Sequence, residues 1–146
     1  MQFWLMKSEP DEVSIDDLAA RPGQTIPWFG VRNYQARNFL RDAMQIGDQA
    51  FFYHSGCAMP GIAGICEVCS MPYPDETQFV TPQGDFLRGA VNPYFDPKSS
   101  LDKPRWWLRD VRLVRKTLFV SLAELRTRTE LANMRLLARG NRLSIT

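Results

Sequence analysis

The sequence predicts a single α+β domain, a small twisted β-barrel or sheet with peripheral short helices. Three observations predict it. A chain of 146 residues is long enough to bury a real hydrophobic core. Several short runs rich in aromatic and β-branched residues are apolar on both faces, as buried strands are. The helical segments are few and short and do not alternate regularly with strands, which argues for a barrel or curled sheet over parallel βαβ units. There is no internal repeat, low-complexity tract or interdomain linker, so residues 1–146 read as one domain.

In chain order, Gln2 to Lys7 reads as a buried strand. Ser14 fits the cap of a short helix, with Asp16 and Asp17 in the first turn, where the helix dipole favours negative charge. From about Asn33 to Met44, the residues Ala36, Phe39, Leu40, Ala43 and Met44 follow an amphipathic helical stripe, with Arg37 and Arg41 off it. Gly47-Asp48 marks a turn. Ala50 to His54 and Gly61 to Met71 are strand-like, and Gly64 inside the second predicts a bulge or sharp bend. Pro72 to Pro104 is a long loop with one helical turn expected near Asp75. Its aromatics, Tyr73, Phe79, Phe86, Tyr94 and Phe95, imply that it is tied to the body. Arg105 to Thr117 reads as a long strand with imperfect alternation. Ser121 and Glu124 form a capping box, with Val120 placed to staple against Leu125. A last helix is expected from Thr129, carrying Leu131, Met134 and Leu137 inward and stopping at Gly140. Arg142 to Ile145 begins a final strand.

A formal charge of +2 excludes a histone-like polycation, so any basic surface is local. Arginine outnumbers lysine 14 to 4, which suits bidentate phosphate contacts, although genome composition produces the same bias. No apolar run approaches membrane-spanning length, and Gln2 to Met6 lacks the layout of a secretory signal. Three cysteines without such a signal argue against a disulfide framework, so a cytoplasmic location is expected. His54-x2-Cys57 and Cys66-x2-Cys69 have zinc-like spacing. However, Cys66 and Cys69 lie in a strand-like run, where positions three apart face opposite sides. No metal and no cofactor are expected.

The densest chemistry lies in Trp28-Phe29-Gly30-Val31-Arg32-Asn33-Tyr34-Gln35-Ala36-Arg37-Asn38. Aromatic rings, two arginines and a tight-turn glycine surround a helix start, whose unpaired N–H groups favour anions. A stacking platform beside phosphate-binding groups suits nucleic acid or a nucleotide.

This segment, together with Phe3-Trp4-Leu5-Met6-Lys7-Ser8-Glu9-Pro10 and Phe51-Phe52-Tyr53-His54-Ser55, closely resembles the EVE domain family. Pro60-Gly61-Ile62, Tyr73-Pro74-Asp75, Asp96-Pro97-Lys98-Ser99, Pro104-Arg105-Trp106 and Arg142-Leu143-Ser144 extend the resemblance, in the family's order, over nearly the whole chain. It implies a PUA-like fold related to the YTH and ASCH domains, and recognition of DNA or RNA through a modified base held in an aromatic-walled pocket. Two departures are Phe95, where the family often has Tyr, and the end at Thr146, where members usually continue and finish the sheet.

Such a pocket needs flat walls, groups that read the base edge, and cations for flanking phosphates. Trp28 and Trp106 are the candidate walls, with Tyr34 or Tyr53 nearby, and Gly30 and Val31 belong to the same segment. Lys7, Arg32, Arg37 and Arg105 are the expected mouth cations. Ser8, Glu9, Asn33, His54 and Ser55 are candidate edge readers; local backbone capping is the plain alternative for the serines, and a structural role for the histidine. Stacking gains about 1–3 kcal/mol per base, roughly what extrusion costs, so phosphate contacts must supply the remainder.

Two other classes compete. A nuclease or other hydrolase acting on modified nucleic acid lacks support: the lone histidine removes most histidine-pair mechanisms, and neither G-x-S-x-G nor a P-loop occurs. A protein-interaction module would use the Pro-rich loop and the adjacent Trp106 and Trp107. It predicts no salt-sensitive affinity for oligonucleotides, whereas a base reader's affinity falls with salt. The residues do not indicate an oligomeric state.

Overall fold

Five strands form one mixed sheet, curled into a half-barrel. The computed structural model describes residues 1–81, 92–137 and 143–146. β1 (Phe3–Ser8) runs parallel to β3 (Gln49–His54), and β4 (Gly61–Val68), β7 (Asp110–Ser121) and β2 (Thr25–Pro27) follow antiparallel. β5 (Tyr73–Pro74) and β6 (Trp107–Leu108) pair as a small ribbon. Among the described residues no helix is long and apolar enough to cross a membrane.

α1 (Ile15–Ala20) begins at Ser14 with a reciprocal cap: Ser14 Oγ accepts from Asp17 N–H, and Asp17 Oδ2 accepts from Ser14 N–H. Its buried Ile15 and Leu18 join the main core with Met6, Trp28, Leu40, Phe52 and Val111. Ile15 rests against Gly64, and the β3–β4 and β4–β7 registers both shift in that neighbourhood, as the bare position in the strand predicts.

α2 (Tyr34–Asn38) continues into a wider π turn over Phe39–Ala43, closed by Met44 N–H donating to Phe39 O at 2.8 Å. The expected stripe changes accordingly. Ala36, Leu40 and Met44, four residues apart, are buried, whereas Ala43 is exposed. The wider turn carries Ala43 off the core face that a regular helix would give it.

The strand expected from Arg105 to Thr117 is divided at Arg109. This buried side chain donates to Leu40 O at 2.5 Å and Ser70 O at 3.1 Å, while its carbonyl accepts from Trp28 N–H. α3 (Leu122–Arg126) is capped by Ser121 Oγ accepting from Glu124 N–H. The expected last helix is instead two short 3₁₀ turns, Thr129–Leu131 and Arg135–Leu137. They still place Leu131, Met134 and Leu137 against a second core of Leu5, Tyr53, Ile62, Leu125 and Leu136. Ile145 is fully buried and bridges Met6, and Leu5 exchanges two backbone bonds with Thr146. Phe86, Gly140 and Arg142 lie outside the described residues.

Candidate functional site

A cleft of about 260 Å³ opens where β1 ends. Lys7, Ser8, Glu9, Glu12 and Val13 form one side, and Ile26 to Val31 form the other, with Ser55, Tyr94 and Ser144 completing the rim. The cleft's volume lies just below the roughly 300–1,000 Å³ typical of small-molecule clefts.

The strand end is held from several sides. Ser8 Oγ donates to Val13 O at 2.6 Å, Ser8 O accepts from Ser55 N–H at 2.9 Å, and Glu9 O accepts from both Glu12 and Val13 N–H. Tyr94 reaches the cleft from the long loop, donating its hydroxyl to the Glu12 carboxylate, 2.7 Å from each oxygen. Burial and that hydrogen bond push the phenol well above its ordinary pKa. Burial also holds the Lys7 ammonium below the usual lysine range. Its Nζ lies 5.9 Å from the centre of the Tyr53 ring.

Beside the cleft, the aromatics and arginines of the Trp28–Asn38 segment form a stack within the protein. The Arg37 guanidinium lies 4.8 Å over Tyr34, and Tyr34 stacks on Trp106 at 4.9 Å and 26°. Arg32 lies 5.3 Å from both Trp106 and Tyr94, and Tyr94 meets Phe29 edge-on. Arg32 directs its five N–H bonds to Val31 O, Tyr94 O (twice), Thr77 Oγ1 and the fully buried Asp75 carboxylate. Asp75 also accepts from Gly30 N–H at 2.7 Å and from the Thr77 amide and hydroxyl. The buried Gln78 and Asn92 amides hold the rest of the loop, bonding Trp106 and Ser99 in one case and Thr77, Val80 and Tyr94 in the other.

Of the residues singled out in the sequence, Lys7, Ser8, Glu9, Trp28, Gly30, Val31 and Ser55 meet at the cleft. The others do not line it. Trp28 is itself 95% covered, packed edge-on against Phe52, so it contributes only a small part of the wall. Trp106 is buried behind Arg32 with its indole N–H on Asp96, and is not the second wall expected. Tyr34 covers Trp106, and Tyr53 belongs to the second core. Arg32 has no N–H left for a phosphate. Arg37 turns back on Asn38 and Arg105 O, and the Arg105 amide is held by Gln78 and Ser99.

Asn33 caps α2 by accepting from Ala36 N–H, so the short helix start is satisfied by its own cap. His54 accepts from Ile15 N–H through Nε2, and burial holds its pKa down; it is a structural neutral imidazole. Sequence reasoning missed Tyr94, Glu12, Phe29 and Ser144 as lining residues and Asp75 as the hub. Of these, only Tyr94 and Asp75 carried a signal, as an aromatic and a helix-capping acid in a loop too long to be unanchored.

This curled mixed sheet, with a cleft at the end of its first strand, is a PUA-like domain. The chain belongs to the EVE domain family, whose model matches residues 2–146. It is 49% identical to human thymocyte nuclear protein 1 over 134 residues, covering 85% of this chain and 55% of the relative. It therefore spans about half the length of that relative. An uncharacterised Schizosaccharomyces pombe protein is 36% identical over 159 residues, covering 99% of this chain and 62% of that protein. Among solved structures, the human THYN1 protein in complex with 5-methylcytosine-containing DNA matches with a TM-score of 0.86 at 45% identity, covering 100% of this chain and 90% of that one. A Pseudomonas putida protein matches with a TM-score of 0.85 at 46% identity, covering 99% and 89%.

Proposed function

We propose that this protein is a nucleic-acid-binding module that accepts one modified base, 5-methylcytosine or a close analogue, into the cleft at the end of β1. The observation that carries this reading is the cleft itself. It holds aromatic and aliphatic wall from Trp28, Phe29, Val31, Ile26 and Tyr94 beside Lys7 and Glu9, and it lies in a fold that matches a protein crystallised with 5-methylcytosine-containing DNA. Lys7 lines the cleft and is the cation available there to a phosphate flanking the extruded base. The methyl group adds about 0.8 kcal/mol if buried, a preference of only a few-fold over plain cytosine. RNA belongs to the same reading, because a cleft that holds a base by its faces and edge accepts it from either backbone. The free thiols of Cys57, Cys66 and Cys69 agree with action in the reducing cytoplasm, and the whole chain acts as one such module.

The test is a titration with single- and double-stranded DNA and RNA oligonucleotides, carrying either cytosine or 5-methylcytosine, at two salt concentrations. The expected result is affinity that falls with salt and favours the methylated base. Salt-insensitive binding, or no preference among the bases, overturns the reading.

A further inference from the structure

The two carboxylates of the cleft are not equivalent. Glu12 is engaged, with both oxygens on the Tyr94 hydroxyl. The carboxylate of Glu9, an exposed residue at the cleft, forms no hydrogen bond or ion pair among the described residues, while its backbone is held in place. Its carbonyl accepts from Glu12 and Val13 N–H, each at 2.9 Å, and Pro10 follows directly. Its side chain lies across Gly56, where a Cβ would fall 2.8 Å from Oε1 and 3.1 Å from Cδ. Gly56 has φ +61°, so the turn after β3 both needs a glycine and uses its bare face as the seat for this arm.

A carboxylate without a partner, lining the cleft, is an acceptor with no donor capacity. Resting on the base-binding reading above, we propose that Glu9 selects bases that present an exocyclic amino group, so that 5-methylcytosine is held and thymine, its 4-keto counterpart, is rejected. The cytosine edge offers its N4 amino group as donor and N3 and O2 as acceptors. Glu9 complements the first. Thymine turns its O4 toward Glu9, placing acceptor against acceptor. The methyl group is common to both bases and does not distinguish them, so the choice falls to the edge.

The test compares wild-type protein on three oligonucleotides identical except for one central 5-methylcytosine, thymine or cytosine. Wild type is expected to bind 5-methylcytosine about tenfold or more tighter than thymine, the scale of one well-matched base-edge contact. Glu9→Gln, isosteric but able to donate as well as accept, brings thymine to within about threefold of 5-methylcytosine. Glu9→Ala, which removes the acceptor, also loses the preference. Wild type binding both methylated pyrimidines equally overturns the inference and leaves the base-binding reading standing. A preference undiminished in both Glu9 variants also overturns it. Failure to bind any of the three overturns both.

Discussion

Arg32 and Asp75 meet at 3.1 Å, with the aspartate side chain wholly buried and the arginine side chain 21% exposed. They join the segment after β2 to the loop that follows β5, 43 positions later. The same guanidinium bonds the Tyr94 carbonyl twice, so one side chain fixes the loop that delivers Tyr94 to the cleft. An arginine in an aromatic-rich segment reads as a phosphate ligand; here it is the internal fastening of the site.

Arg32→Ala is therefore expected to cost stability. It leaves Asp75 buried with only its amide and hydroxyl donors, a loss of about 3 kcal/mol, at the lower end for breaking a buried pair. Arg32→Lys does not restore it, because an ammonium cannot reproduce the planar five-donor fork. Urea unfolding checks both variants. Undiminished stability, with a weaker salt dependence of oligonucleotide binding, would show that Arg32 contacts phosphate after all.

Lys7 is the cation the structure leaves in the cleft. Lys7→Ala is expected to weaken binding to all sequences and reduce the slope of log affinity against log salt by about one. Burial depresses the Lys7 pKa, so wild-type affinity declines as pH rises through a value below the ordinary 10.5. A variant with the wild-type slope and alkaline profile would exclude a phosphate contact at this position.

Tyr94 supplies both ring surface and a hydrogen bond. Tyr94→Phe keeps the ring beside Phe29 and Arg32, and should retain binding while losing about 1–3 kcal/mol of stability, because Glu12 loses its donor. Tyr94→Ala removes the wall and is expected to weaken base binding by about 1–3 kcal/mol beyond the Phe variant. Paired thermal melts and oligonucleotide titrations separate the two effects.

Asp48 governs part of the acid stability. Burial alone would raise its pKa, but N–H donors from Gln2, Trp4 and Gln45 hold it below the ordinary carboxylate value of 3.8. A depressed folded pKa contributes stability that is fully present above the unfolded value and is lost as pH falls through the folded one. Asp48→Asn is expected to lose about 1–3 kcal/mol near neutrality, and the gap to wild type should narrow as pH drops below 3.8. A gap constant with pH would mean that the charge plays no part.

Several local features were legible in the sequence. The Ser14 cap, the shift around Gly64, the helical turn near Asp75 (Glu76–Phe79) and the Ser121 cap each depend on a residue and its near neighbours. The α2 stripe was legible in position but not in period, because a single π turn changes which residues face inward. The helix expected from Thr129 failed because its inward leucines are served equally well by two 3₁₀ turns packed on the second core.

The sequence alone determined that this chain makes a small α+β domain, and that the end of β1 and the segment from Trp28 carry its polar and aromatic chemistry. Only the tertiary structure decided which of those groups face the cleft. Lys7 and Glu9 remain there, whereas Arg32 is taken up by Asp75 and Tyr94, His54 by Ile15, and Trp106 by Asp96 and the Arg32 guanidinium. A residue type records what a side chain can bond to; whether the protein itself supplies that partner depends on distant segments that meet only when the sheet curls and the loop closes over it.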